Sequence, residues 1–459
     1  MSDKRQKNQL ELAFPAESRS EAPTAAGEGT ESLTAKHTTE SSAVTEQLME
    51  EVCERENCKQ ALRRVKTNKG SPGVNGMTVH QLPGYLKQHW SAIREQLLNG
   101  NYKPQAVKRV EIPKPDGGMR KLGIPTVLDR FIQQAVMQVL QRRWDRTFSN
   151  HSYGFRPGRS AHQGVEAAQQ NIAAGYRWVV DLDLEKFFDR VNHDRLMAKL
   201  AERISDKRML KLIRAFLQVG VMEDGLLSPV DEGTPQGGPL SPLLSNIVLD
   251  ELDRELERRG LRHARYADDC NVYVRSRRAG ERVMASITAF ITSKLKLKVN
   301  QEKSAVARPW ARKFLGFSFT SGTAPRRRIA PKALARYKKR VRELTRRTRG
   351  ISIEEMAAEL GSYLRGWHGY FGACQTPSVL KELDQWTRRR LRSFLWKQWK
   401  RGAVRFAELT RRGVNKDLAV RTVKSPHGPW HLANSPGLAF ALPNAYFTSL
   451  GIPQLFGTR

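Results

Sequence analysis

Tyr266-Ala267-Asp268-Asp269 stands between two alternating runs, Leu261-Arg262-His263-Ala264-Arg265-Tyr266 before it and Cys270-Asn271-Val272-Tyr273-Val274-Arg275 after it. Period-two patterning with β-branched and aromatic residues marks both runs as short strands, so the four residues form the tip of a hairpin. Two adjacent carboxylates at such a tip can hold a divalent cation. They can equally be turn chemistry, because Asp accepts bonds from its own backbone and tolerates unusual dihedrals.

A third carboxylate shifts that balance. In Trp178-Val179-Val180-Asp181-Leu182-Asp183-Leu184 the strand signal is strong, yet Asp181 and Asp183 interrupt one face, where an isolated charge is costly to bury. Laid beside the hairpin, Asp183 joins Asp268 and Asp269 in an oxygen-rich site that suits Mg²⁺, with substrate phosphates completing the octahedron. Two such ions, roughly 3.5–4 Å apart, would activate an attacking hydroxyl and stabilise a leaving oxygen in phosphoryl transfer.

Composition points to a polyanionic partner. Lys and Arg number 79 against 46 Asp and Glu, a formal net charge of +33, which favours capture of a phosphate backbone by counterion release. No apolar run approaches the roughly 20 residues needed to span a bilayer, and no signal sequence opens the chain. A soluble, cytoplasmic protein without a membrane partner is expected. Cys53, Cys58, Cys270 and Cys374 form no C-x-x-C pair, so neither a disulfide framework nor a zinc site is indicated.

Residues 1–45 have the composition of a disordered tail, rich in Ser, Thr, Glu, Ala and Gly. Helices are expected over Glu46 to Lys66 and from about Pro83 to Leu98. A basic hairpin follows, from Ala106 to Ile112 and back from Met119 to Ile124, turned by Pro113-Lys114-Pro115-Asp116-Gly117-Gly118. Leu128, Phe131, Ile132, Ala135, Val136, Val139 and Leu140 mark the packed side of a long helix, to which no chemistry is assigned. Arg195 to Gln218 reads as mostly helical, and the loop at residues 232–240 leads into a helix ending near Arg259. After the hairpin come a helix over Ala279 to Leu295, a strand-like Leu297 to Asn300 and an apolar run from Phe314 to Phe319. Strand, helices, hairpin, helix, strand is the order of a split βαβ layer, within an α+β class.

Several motifs now combine. Asp183-Leu184-Glu185-Lys186-Phe187-Phe188-Asp189 resembles polymerase motif A, Thr234-Pro235-Gln236-Gly237-Gly238 motif B, Tyr266-Ala267-Asp268-Asp269 motif C and Asn300-Gln301-Glu302-Lys303-Ser304 motif D. With Ser152-Tyr153-Gly154-Phe155-Arg156-Pro157-Gly158-Arg159-Ser160 and Gly366-Trp367-His368-Gly369-Tyr370-Phe371, the chain resembles bacterial group II intron-encoded reverse transcriptases, or maturases, from about residue 46 onward. Within them the group IIC branch is most similar.

The resemblance implies a right-hand polymerase: fingers and palm with a mixed split-βαβ sheet over 46–325, a helical thumb or maturase domain X over 326–401, and a DNA-binding domain over 402–459. It implies two Mg²⁺ ions on Asp183, Asp268 and Asp269, with the Leu184 backbone carbonyl as a further ligand. Lys114 and Arg120 would bind the incoming dNTP. Phe188, five residues after Asp183, would be the steric gate against a ribose 2′-hydroxyl; its other reading is a core aromatic beside Phe187. Gln236 would touch the nascent base pair, and Lys303 would protonate pyrophosphate. Implied partners are group II intron RNA, an RNA template with a DNA primer, and target DNA. The sequence shows none of the paired Cys-x-x-Cys motifs of the family's C-terminal endonuclease, which implies priming from a nascent or nicked strand.

Arg326-Arg327-Arg328, Lys338-Lys339-Arg340 and Arg388-Arg389-Arg390 recur in the basic C-terminal part with Trp386, Trp396 and Trp399 interleaved. The arginines outnumber nearby carboxylates and are assigned to RNA; the tryptophans are assigned to the core. Two other functions stand beside this one: a free-standing reverse transcriptase in defence or repair, and a splicing-only maturase with a decayed polymerase site.

Overall fold

The computed structural model describes residues 47–113, 119–223, 226–228 and 237–457. The tail expected over residues 1–45 lies outside them, as do Lys114 and Gln236. The single helix expected from Glu46 to Lys66 is two, α1 (Leu48–Val52) and α2 (Arg55–Thr67), because Glu54 is extended, with ψ 141°. α3 (Leu82–Leu98) carries Pro83 in its first turn, where an N–H would have no helical partner. β1 (Val107–Pro113) and β2 (Met119–Ile124) form the basic hairpin, with Ile112 opposite Arg120. α4 (Val127–Trp144) is capped by the Thr126 hydroxyl, which accepts from the Asp129 backbone N–H. Its stripe from Phe131 to Leu140 is buried, but so are Gln133, Gln134 and Gln138, which an apolar pattern does not announce.

α5 (Ala161–Ala173) opens on a capping box between Ser160 and Gln163 and leads to β3 (Trp178–Leu182). Arg195 to Gln218 divides into α6 (His193–Ala201) and α7 (Lys207–Gln218), where the Asp206 carboxylate caps α7 and accepts the buried Met49 N–H at 3.0 Å. β4 (Val221–Glu223) and β5 (Leu226–Ser228) extend the fingers sheet to the order β2-β1-β4-β5. After α8 (Ser241–Arg258) come β6 (Arg262–Tyr266), β7 (Asp269–Val274), α9 (Arg277–Ser293) and β8 (Ala305–Ala307). The palm sheet runs β6-β7-β3-β8 in antiparallel ladders, and an isolated parallel bridge joins Ser152 to Arg265 at its edge.

One strand expectation changes. Leu297 to Asn300 contributes only a bridge between Val299 and Leu184, and the sheet's fourth strand is the short Ala305–Ala307. The run from Phe314 to Phe319 reverses at Leu315 and Gly316, with φ 51° and 80°, so only β9 (Phe317–Phe319) is a strand. It pairs with β10 (Arg327–Ile329).

Beyond lie α10 (Pro331–Leu344), α11 (Ile353–Phe371) and α12 (Pro377–Gln398). Residues 402–459 carry α13 (Gly402–Arg411), α14 (Lys416–Lys424), α15 (Pro429–Leu432), α16 (Pro436–Ala441) and α17 (Asn444–Ser449). Pro429 and Pro436 stand at the starts of helices, where a missing N–H costs no helical bond. One apolar core joins Tyr337, Leu360, Leu391 and Phe394 to Leu409, Leu438, Phe447 and Ile452.

Candidate active site

Ala267 and Asp268 connect β6 to β7, with Tyr266 paired to Asp269 across the turn. Ala267 holds φ 56°, a left-handed conformation that costs a residue with a β carbon roughly 1–2 kcal/mol. Arg265, fully buried, holds this turn in place. Its Nε donates to Asp253 Oδ1 at 2.8 Å and its Nη2 to Asp253 Oδ2 at 2.5 Å, tying the strand to α8. Nη1 donates to Asn246 Oδ1 at 3.1 Å and to the Ala267 carbonyl at 2.9 Å, while Nη2 also reaches Ser152 Oγ at 2.7 Å. Every guanidinium N–H therefore has an acceptor. Burial opposes both charges, yet Arg265 holds Asp253 below the usual carboxylate range and is itself held above its ordinary value. Gly154 closes the other side, since a β carbon there would lie 2.4 Å from the Ala267 nitrogen.

None of this network was singled out from the sequence. The available signal was Asp253, a charged residue among Leu249, Leu252 and Leu256 on the buried side of α8.

β3 lies antiparallel to β7, with Leu182 opposite Cys270 and Asp181 opposite Asn271. One step further in that register sets Asp183 opposite Asp269, at the end of the sheet where the turn stands. Alternation then puts Asp181, Asp183, Asp269 and Asn271 on one face. Burial, followed by the Asp181 and Asp268 carboxylates, pushes Asp269 up to about 8. Without a cation the cluster thus retains a proton at neutral pH, and a divalent ion among these oxygens would release it. Asp181 is committed to Arg312, whose Nη2 lies 2.6 Å away.

The segment after the bridge docks on Asp183. Asn300 N–H donates to the Asp183 carbonyl at 2.8 Å, Glu185 N–H donates to the Lys298 carbonyl at 2.8 Å, and Ser304 Oγ accepts from Asp183 N–H at 3.0 Å. Lys303 is exposed in the turn beside Asp183.

Phe187 is buried and Phe188 half-buried, with the rings edge-on at 5.2 Å. Phe188 lines a cleft of about 460 Å³ with Arg130, Gln134, Phe155, Gly237 and Gly238. Gly237 has φ 125°, and a β carbon there would sit 2.4 Å from the Gly123 carbonyl of β2. A side chain at Gly238 would strike Gln133. Gly237 thus lets the chain lie against the fingers hairpin, and Gly238 lets it lie against α4. Arg130 donates to the Ser71 carbonyl at 2.7 Å, so α4, read as packing alone, also supplies a wall of the cleft. Arg120 lies in β2.

Among the described residues, no three His, Cys, Asp or Glu side chains converge closely enough to hold an ion by themselves. Mg²⁺ does not require that, since it is bound by one or two carboxylates together with substrate phosphates and water.

Two family profiles match this chain: reverse transcriptase (RNA-dependent DNA polymerase) over residues 112–319, and the group II intron maturase-specific domain over residues 334–413. Protein YkfC of Escherichia coli (strain K12) is 33% identical over 287 residues, covering 54% of this chain and 75% of that protein. The chain belongs to the group II intron-encoded reverse transcriptase family. Group II intron-encoded protein LtrA of Lactococcus lactis subsp. cremoris is 37% identical over 195 residues, 42% of this chain and 32% of that protein. Nuclear intron maturase 2, mitochondrial, of Arabidopsis thaliana is 30% identical over 169 residues, 28% of this chain and 23% of that protein. The chain thus spans a third or less of these two relatives. A chain of the partial Cas6-RT-Cas1--Cas2 complex aligns at TM-score 0.35 and 26% identity over 54% of this chain and 43% of that one, a score too low to speak to the fold. The fold is that of a right-hand polymerase with a helical thumb, and the enzyme class is RNA-directed DNA polymerase.

In this reverse transcriptase the basic clusters separate into two kinds. Arg326, Lys338 and Lys339 are exposed. Arg340 pairs with Glu343 at 3.2 Å, and in β10 the half-buried Arg328 donates to the Trp310 carbonyl at 3.0 Å beside half-buried Arg327. The RNA-facing role expected of Arg388 is corrected: it is 1% exposed and donates to the Ile452 and Pro453 carbonyls at 3.4 and 3.0 Å. Arg389 donates to the Trp430 carbonyl at 3.0 Å and stacks on that ring at 4.2 Å. Arg390 donates to Thr345 Oγ1 at 2.6 Å. Arg388 also lies 3.7 Å from Asp384 Oδ1, whereas for Arg389 and Arg390 a backbone carbonyl, a hydroxyl and ring faces take the place of carboxylates. Trp396 and Trp399 are core residues, and Trp386 is partly buried.

Proposed function

We propose that Asp183, Asp268 and Asp269, with the Leu184 carbonyl, hold two Mg²⁺ ions with which this reverse transcriptase extends a DNA primer on an RNA template. The observation that carries the reading is the register that sets Asp183 opposite Asp269 beside Asp268. Its donors are all oxygen, the set a hard cation takes. When bound, the ions would lower the barrier by activating the 3′-hydroxyl and stabilising the leaving pyrophosphate. Phe188 narrows the cleft where the deoxyribose would sit, and Gly237 and Gly238 admit the nascent base pair beside Gln236. Lys114 and Arg120 of the fingers hairpin neutralise the triphosphate as charge grows on it, and Lys303 gives a proton to pyrophosphate.

The thumb, over residues 326–401, holds the primer-template duplex and intron RNA through exposed Arg326, Lys338 and Lys339, and residues 402–459 contact target DNA. The maturase-specific match supports a role in intron splicing and retrotransposition over a free-standing enzyme. The assembled aspartates support an active polymerase over a splicing-only protein. No helix among the described residues is long and apolar enough to cross a membrane, in keeping with a cytoplasmic site of action. Primer extension on an RNA template tests the mechanism: the native protein incorporates deoxynucleotides and Asp268→Ala does not. Undiminished incorporation by Asp268→Ala would overturn it.

A further inference from the structure

A pocket between the thumb helices and residues 402–459 stands apart from the polymerase site. Its walls are Thr345 at the end of α10, Arg347 just beyond it, Arg390 and Ser393 of α12, and Trp430 of α15. Three arginines gather here, Arg342, Arg347 and Arg390. Among the described residues none of the three is bridged to a carboxylate; burial, then the Arg342 and Arg347 charges, depress Arg390. Like charges held this close favour a bound anion. Arg390 is positioned by its bond to Thr345 Oγ1 and by the Trp386 ring, 5.6 Å from its guanidinium. Trp430 remains 37% exposed although Arg389, which is not a wall of the pocket, stacks on it at 4.2 Å. One indole surface is therefore braced while another is open to a base.

We propose that this pocket binds one unstacked ribonucleotide of a structured RNA, its base on Trp430 and its phosphate on Arg347 and Arg390. An aromatic platform beside an arginine pair is the chemistry of single-stranded nucleotide recognition. The Ser393 hydroxyl in the same wall offers a partner to a 2′-hydroxyl, while the buried Thr345 hydroxyl is committed to the Val341 carbonyl and to Arg390. The proposal rests on the reading that the thumb binds RNA, and names the nucleotide state it takes.

The test uses the full chain and a short 5′-phosphorylated single-stranded oligoribonucleotide carrying 4-thiouridine. Trp430→Ala weakens its binding roughly tenfold, the loss of one base stack. Arg347→Ser, at an exposed position, lowers the slope of log affinity against log salt by about 0.7, the share of one phosphate. Photo-cross-links map to Trp430 or its neighbours, and Arg278→Ser, a basic surface change on α9, alters none of this. Melting temperatures verify that each variant is folded. If the native protein binds the oligomer and a long structured RNA while Trp430→Ala and Arg347→Ser bind like it, the pocket is wrong and the thumb reading stands. If neither RNA binds, the thumb reading fails first. Equal affinity for DNA of the same sequence removes the ribose assignment. Full competition by inorganic phosphate, with no effect of Trp430→Ala, reduces the pocket to an anion site and overturns the proposal.

Discussion

The palm hairpin and the Arg388–Arg392 stretch of the thumb are both dense in charge and use it in opposite ways. At the hairpin tip carboxylates gather on one face of a sheet, and burial with mutual repulsion pushes Asp269 up to about 8. Such an arrangement is tense until a cation arrives. In α12 the charges spread around the helix and are absorbed by the protein itself: Arg388 by the Pro453 carbonyl, Arg392 by the Leu442 carbonyl at 2.9 Å, and Arg389 by Trp430. Density of charge therefore does not identify a binding surface; the number of acceptors the fold supplies does.

The contrast can be broken most directly at the palm. Asp268→Ala should reduce deoxynucleotide incorporation by roughly 10³-fold or more, while RNA affinity measured by filter binding stays at the native level. Parallel loss of RNA binding in a folded variant would show that the two regions are not separable. Next in size is the buried anchor beneath the turn. Arg265→Met leaves Asp253 buried and uncompensated, and should destabilise the protein by about 3–5 kcal/mol in chemical denaturation. The double change Arg265→Met with Asp253→Leu should recover much of that stability, because apolar replacement of a buried pair is often neutral. It should not recover kcat, since the Ala267 carbonyl still lacks its donor. Full recovery of kcat would make Arg265 structural only.

The thumb side of the contrast rests on smaller effects. Arg388→Ala strips donors from two carbonyls and should lower stability by about 1–3 kcal/mol, with the salt dependence of RNA binding unchanged. A shallower slope with native stability would return Arg388 to the RNA-facing surface. Lys338→Ser with Lys339→Ser should do the reverse: an unchanged melting temperature and a salt slope reduced by about 1 for each phosphate no longer neutralised. An unaltered slope would leave that exposed face of α10 without a ligand.

Legibility in the sequence followed how local each feature is. The hairpin, β3 and the stripe of α4 could be read because alternation and helical spacing act within a few residues of one another. Val299 misled for the same reason: Leu297 to Asn300 suits a strand, but the bond from Asn300 to Asp183 depends on a neighbour packed from elsewhere. Arg130 and Gln134 escaped notice because a buried stripe draws attention away from the polar residues that flank it.

By itself the sequence determined the carboxylate pair at a hairpin tip, a third carboxylate at the end of another strand, the order of the motifs and the excess of positive charge. These are properties of periodicity and composition, which the backbone geometry of a strand or helix converts directly into a face. Only the tertiary structure decided that Arg265 bonds Ser152, 113 residues away, that Arg388 bonds Pro453, 65 residues away, and that Trp430 meets Arg390 across a pocket. Apart from the carboxylates of Asp253 and Asp384, the acceptors of these arginines are carbonyls, hydroxyls and rings that leave no local signature, so their role is settled when distant segments close around them.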